Sequence, residues 1–319
     1  MKRLGQRGAA LLMAMLTVTL VATFAAASLW QQWRSVEVET AERARVQSTW
    51  VLCGALDWAR LILREDARSN LNGPDHLAEP WAVPLQESRL STFLAADRNN
   101  TAGNPDDAPE AFLSGQIIDL QSRMNVSNLI AGGKVSEPAM QAFQRLFELL
   151  NLPQQELATM AENLRRATVA SGAGDADNAT PLLPQRVEQL SWLGLSPRTL
   201  QLLQLYVAVL PEATPVNLNT ASAEVIAASI PGLDLADAQR LLAARARSHL
   251  RNLGDAATLL NLPAGRLNES GHDIKSRFFE VQGRLRLGQT TVGERSLVQR
   301  KDLVVTTLWR ERMATDATR

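Results

Sequence analysis

The chain has 319 residues, with 33 Lys and Arg against 33 Asp and Glu, three His and one Cys. That balance leaves no basic footprint for nucleic acid. The lone Cys53 excludes an intramolecular disulfide, and one Cys with three His is too few for a structural zinc site.

The N-terminus is the most patterned stretch. Lys2, Arg3 and Arg7 precede Gly8, and the run Ala9–Trp30 then contains no charged residue over 22 positions. At about 1.5 Å per residue that run spans roughly 33 Å, the hydrocarbon thickness of a bilayer. Basic residues on its N-terminal side place that side in the cytoplasm and the rest of the chain across the membrane. A cleaved secretory signal is the competing reading, with Ala25-Ala26-Ala27 offering small residues for the cut. Against it, the apolar run exceeds the usual signal core of about 7–15 residues. The following stretch also stays helix-compatible, with Trp33, Val36, Ala44, Trp50, Val51, Trp58, Ala59 and Ile62 along one stripe. The reading is a membrane helix over 9–30 continuing as an amphipathic helix over 31–68.

A short basic leader ending in Gly8, followed by a small residue and an apolar helix start, resembles the type IV pilins and type II secretion pseudopilins. The resemblance implies that a prepilin peptidase cuts between Gly8 and Ala9 and methylates Ala9. The family's major members carry Glu at the fifth mature residue, where this chain has Met13. That departure matches the minor pseudopilin K family of type II secretion (general secretion pathway protein K). A carboxylate buried without its partner costs several kcal/mol, so an apolar residue suits a subunit with nothing above it. The resemblance implies a tip subunit of the periplasmic pseudopilus, initiating assembly and supporting export across the outer membrane. Implied partners are other minor pseudopilins of the I, J and H types, the major pseudopilin, the prepilin peptidase, the inner-membrane assembly platform and secreted substrates. Nucleic acid is not among them.

Residues 69–130 read as the first part of a pilin-like domain, with turn signals at Gly73-Pro74, Pro80, Pro84, Asn99-Asn100, Gly103-Asn104-Pro105 and Pro109. Short apolar pieces between them are candidate edge strands. Ile117, Ile118 and Leu120 predict a strand, and Asn125–Asn128 a turn. Two segments resemble family motifs of architectural type. They are Leu77-Ala78-Glu79-Pro80-Trp81-Ala82-Val83-Pro84 and Ile117-Ile118-Asp119 with Arg123-Met124-Asn125-Val126-Ser127-Asn128-Leu129.

Residues 131–270 read as a helical insertion, almost wholly helical from 137 to 265. Leu149-Leu150-Asn151-Leu152-Pro153 recurs as Leu259-Leu260-Asn261-Leu262-Pro263, with related units at Trp192–Pro197 and Ile230–Asp234. Each reads as a helix end, a tight turn and a new start at Pro or a capping residue. The stretch Val216-Asn217-Leu218-Asn219-Thr220-Ala221 with Ile230-Pro231-Gly232-Leu233-Asp234 resembles a helix-hairpin-helix, and the insertion a SAM-like fold. This supports the alternative of a membrane-anchored DNA-uptake protein. Asp234, however, stands where the hairpin's second Gly would grip a phosphate, and it reads better as a helix N-cap. Asp175 and Asp177 offer oxygen ligands in the loop 171–180, of the kind Ca2+ takes, and relatives of the K type bind calcium near such a loop. No cofactor is required by the sequence.

Residues 271–312 complete the pilin-like domain. Phe278–Leu287 alternates apolar and polar as a strand, Gly288–Glu294 reads as a turn, and Ser296–Arg300 and Asp302–Trp309 as further strands. The fold class is α+β: a long N-terminal helix on a small antiparallel sheet, interrupted by a large all-α insertion. No Gly-x-Ser-x-Gly, Walker A or HExxH motif is present, so the chain reads as structural and not as an enzyme.

Overall fold

The computed structural model describes residues 7–69, 73–90, 110–173, 180–263, 265–288 and 290–313. Residues 91–109, with their Asn, Gly and Pro signals, and Asp175 and Asp177 lie outside the described residues.

Helix α1 runs Arg7–Ser69, 63 residues. The chain divides into two compact units, Met1–Gly54 and Ala55–Arg319. In the first, the apolar run has a mean hydropathy of 2.2 in its most apolar window, and no residue of that window is buried. Its three threonines turn their hydroxyls back onto the helix: Thr17 Oγ1 donates to Ala14 O at 2.9 Å, Thr19 to Met15 O at 3.0 Å and Thr23 to Leu20 O at 2.8 Å. Each hydroxyl is thus satisfied without water, as an apolar solvent demands.

The second unit contains a five-stranded antiparallel sheet of β1 (Leu85–Arg89), β2 (Ala111–Asp119), β3 (Phe278–Leu287), β4 (Thr290–Lys301) and β5 (Val304–Met313), in that spatial order. The sheet is a meander, with the helical block inserted between β2 and β3. Strand alternation sends successive side chains to opposite faces. Phe279, Val281, Val298 and Val305 form one core with Ala59 and Leu63 of α1 and with Trp81. Phe278 and Leu297 form another with Leu120, Ala208 and Leu210 from the edge of the block. Gly115 faces Gly283 across β2 and β3, and a Cβ there would stand 2.7 Å from Gln282 O, so no larger residue fits.

The sequence places this sheet correctly but misjudges its hairpins. The stretch 288–294 is not all turn: β4 begins at Thr290, pairing with Leu287, and the chain reverses through Gly288 at φ +57°. The β-branched Thr290-Thr291-Val292 extends the strand. The next reversal uses Asp302 at φ +52°, with Lys301 paired to Val304, so β5 starts two residues later than expected and runs to Met313. The expected edge strand in 69–115 is β1, paired with β2.

The block contains α2 (Glu137–Leu149), α3 (Gln154–Ala173), α4 (Pro197–Leu203), α5 (Ala223–Ser229), α6 (Leu235–Arg245) and α7 (Leu253–Leu259). It is less helical than its composition suggests. Val207–Ala208 pairs in parallel with Met124–Asn125, and Val216–Asn217 with His272–Asp273. The 204–222 connection is held by side-chain amides instead of helix. The repeated Leu-Leu-Asn-Leu-Pro unit closes two helices identically. Asn151 and Asn261 take φ of 53° and 50°. Leu152 N donates to Phe147 O at 2.8 Å and Leu262 N to Ala257 O at 2.9 Å. Both are Schellman ends with Asn at the left-handed position.

A candidate assembly helix and a buried polar seam

Two features stand out for function: the uncovered N-terminal helix and a polar seam that joins the sheet to the helical block. On α1, Ala9 and Met13 are both exposed, Met13 by 69%. Leu11, Leu12, Leu16, Val18, Val21 and Phe24 are equally uncovered. An apolar surface this extensive needs another covering than water.

The seam centres on Asp119, at the end of β2. Its Oδ1 accepts from Gln121 N at 2.8 Å and caps a short 3-10 helix. Its Oδ2 accepts from Thr220 Oγ1 at 2.5 Å, Ser276 Oγ at 2.6 Å and Asn217 Nδ2 at 3.1 Å. Burial pushes the Asp119 carboxyl up to about 6 in spite of the Ser276 and Thr220 hydroxyls that favour its charge. Asn217 also donates to Asp75 O at 3.2 Å and Ser276 Oγ at 2.9 Å. The sheet, the block and the 73–82 loop therefore meet on one carboxylate and one amide.

Beside it, Arg300 of β4 bonds Asp66 of α1 at 2.9 Å, Asp75, and Ser276 O at 3.0 Å, with its guanidinium 4.9 Å from the centre of the Phe279 ring. Glu79 Oε2 accepts from His76 N at 2.9 Å and from Trp81 Nε1 at 2.8 Å. Burial raises Glu79 to about 7, and burial raises Asp66 against the pull of Arg300. Carboxylate oxygens of Asp66, Asp75 and Glu79 lie within 4.8 Å of one another, a spacing that could hold a metal ion. Arg300 already supplies the cation there, so an ion would have to displace it.

The two motif segments read as architectural supply much of this seam. Glu79 and Trp81 come from one. The other gives Asp119 together with Asn125, whose Nδ2 donates to Glu212 O at 2.8 Å, and Asn128, which exchanges bonds with Thr214 at 2.8 and 3.0 Å. Sequence reasoning did not single out Asp66, Asp75, Ser276 or Arg300. Their partners lie up to 234 positions away, and the only local signal was a charged residue inside an otherwise strand-like segment.

The helix-hairpin-helix segment is closed on itself. Asp234 Oδ1 accepts from Asp237 N at 2.7 Å and caps α6, and Gly232 makes the turn at φ +77°. Arg245 is turned inward onto Leu218 O at 2.6 Å, its pKa lowered by burial to about 10, and Arg251 pairs with Asp255 at 3.2 Å.

Two family models of the type II secretion system (T2SS), protein K, match the chain, one over residues 122–212 and the other over 216–275. Type II secretion system protein K of Pseudomonas aeruginosa is 27% identical over 97% of this chain and 90% of its own length. The protein of the same name from Klebsiella pneumoniae is 27% identical, covering 93% of each. The fold is similar to a chain in the crystal structure of the GspK-GspI-GspJ complex from the enterotoxigenic Escherichia coli type 2 secretion system. The TM-score is 0.66 at 15% identity, covering 86% of this chain and 99% of that one.

Proposed function

We propose that the chain, which two type II secretion system protein K models match in part and which is similar to K proteins along nearly its whole length, is a member of that family and the minor pseudopilin at the tip of a periplasmic pseudopilus. There it initiates assembly and supports protein export across the outer membrane. The observation that carries the reading is the uncovered, charge-free start of α1 after Gly8, in a chain related along nearly its whole length to K proteins. Such a helix first rests in the inner membrane, with Lys2, Arg3 and Arg7 on the cytoplasmic side. After prepilin peptidase cuts between Gly8 and Ala9 and methylates Ala9, the same apolar surface packs against neighbouring helices in the filament. Partners on this reading are minor pseudopilins of the I, J and H types, the major pseudopilin and the assembly platform, with secreted substrates met at the tip.

Met13 and the helical block support the apical position. The uncharged Met13 suits a subunit with no N-terminal amine above it for a carboxylate at that position to pair with. The block, carried between β2 and β3, adds bulk that an end tolerates and a helical array does not. We read residues 131–270 as a SAM-like insertion domain in a pilin-like frame of 69–130 and 271–312. The role is structural, with no catalytic chemistry assigned. Asp175 and Asp177 remain candidate ligands for Ca2+, and a calcium titration that releases no heat and leaves the melting temperature unchanged removes them. Immunogold labelling of sheared pseudopili with antibodies to the helical block tests the position. Label at filament ends alone is the expected result; label along the length overturns it.

A further inference from the structure

A cleft of about 520 Å³ opens within the helical block, a volume in the range of small-ligand sites. Both family-matched segments contribute to it, through Phe143 and Arg145 of α2 and through Arg266, Asn268, Ser270 and His272. Among the described residues its lining holds two arginines and a histidine but no Asp or Glu, in a chain whose acids and bases are equal in number. His272 is only 3% exposed, and both of its imidazole nitrogens are buried against the main chain of Ser229 and Asn268 without a hydrogen bond of good geometry among the described residues. Burial holds the imidazole below its usual pKa, although the nearby main chain at Ser229 and Asn268 favours the charged form. Arg145 is held by its Nε, which donates to Ala228 O at 2.8 Å, and Glu148 on the same helix is the charge that acts on it. Arg266 reaches Pro231 O at 3.4 Å from an exposed position.

We propose that this cleft binds a carboxylate-bearing ligand with an apolar body, the size of a short peptide end. Arg145 and Arg266 take the carboxylate, since guanidinium matches its geometry. His272 bonds a polar atom behind the carboxylate, and Phe143 packs the apolar part. Water alone would leave unaccounted for two arginines in a cleft lined by no Asp or Glu among the described residues. The carboxylate comes from a polypeptide C-terminus or from a free small acid, and the two sources are separable. The inference does not depend on the membrane anchor or on the position in a filament.

The test uses the full chain in detergent micelles, with the His side chains 15N-labelled and a His272→Phe variant to assign the resonance. The probes are N-acetylated Ala-Ala-Phe as the free acid, the same tripeptide as its C-terminal amide, and acetate. The expected result is a saturable His272 shift with the acid and about ten-fold weaker binding of the amide. Arg266→Gln, at an exposed position, is expected to weaken the acid by a similar factor. Acetate binding as tightly as the tripeptide supports the cleft and assigns it to a free small acid. No His272 shift with any carboxylate at millimolar concentration, or equal binding of acid and amide, overturns the proposal.

Discussion

Arg300 of β4 and Asp66 near the end of α1 form an ion pair at 2.9 Å, with the two side chains 10% and 8% exposed. The pair ties the last turns of a 63-residue helix to the fourth strand of the sheet. The same guanidinium also holds Asp75, so one strand residue clamps both the helix and the loop that follows it.

Removing the cation is expected to be severe. Arg300→Met leaves Asp66, Asp75 and Glu79 together without a counter-charge. Breaking a buried pair in this way costs about 3–5 kcal/mol. The fall in the urea midpoint of the detergent-solubilised protein measures it, and a loss below about 1 kcal/mol would show the clamp to be dispensable.

Stability should fall as pH rises toward neutrality. Glu79 sits at about 7 in the folded chain against an ordinary 4.5, and Asp119 at about 6 against 3.8. Between those values the folded state binds more protons than the unfolded state, so raising the pH favours unfolding. From about pH 5.5 to about pH 8, Glu79 contributes a loss on the order of 2 kcal/mol. Glu79→Gln should remove that part of the dependence and leave only the Asp119 contribution, which ends by about pH 7. Denaturant titrations at the two pH values, with and without the substitution, check both statements.

Asn217 is the amide that joins loop, sheet and block. Asn217→Ala strips one partner each from Asp75 O, Asp119 and Ser276. A cost of about 2–3 kcal/mol follows from leaving buried acceptors unpaired. Hydrogen exchange should show faster opening at Leu218 N, which bonds Asp273 O at 2.9 Å beside it. Protection equal to that of the parent would argue against its linking role.

The repeated helix ends make a finer prediction. Asn261 occupies the left-handed region at φ 50°. Asn261→Gly should be neutral or slightly stabilising, and Asn261→Ala should cost about 1 kcal/mol. Thermal unfolding of the two variants distinguishes this backbone effect from any role of the amide group.

The parts of this molecule legible in its sequence were those with a local signature. The charge-free run after Gly8, the alternation in Phe278–Leu287, the repeated Leu-Leu-Asn-Leu-Pro turns and the Asp234 cap each depend on neighbours a few residues apart. The hairpins slipped because Gly288 and Asp302 each reverse the chain in a tight turn, leaving Thr290–Glu294 free to pair. The 204–222 connection escaped because its order comes from Asn125, Asn128 and Asn217, whose bonds join distant segments. The clamp was invisible for the same reason. Glu79 and Asp119 could be picked out as parts of motifs, but nothing nearby in sequence shows that their carboxyls share a buried seam with Arg300.

The central claim is that the N-terminus is a processed assembly helix and not a discarded signal. The intact mass of the protein extracted from membranes, followed by sequencing of its N-terminal peptide, tests this most directly. The account predicts a chain that has lost residues 1–8 and carries one methyl group on the amine of Ala9. A chain cut near Ala27 and recovered in soluble form, or one that retains its first eight residues, would contradict it.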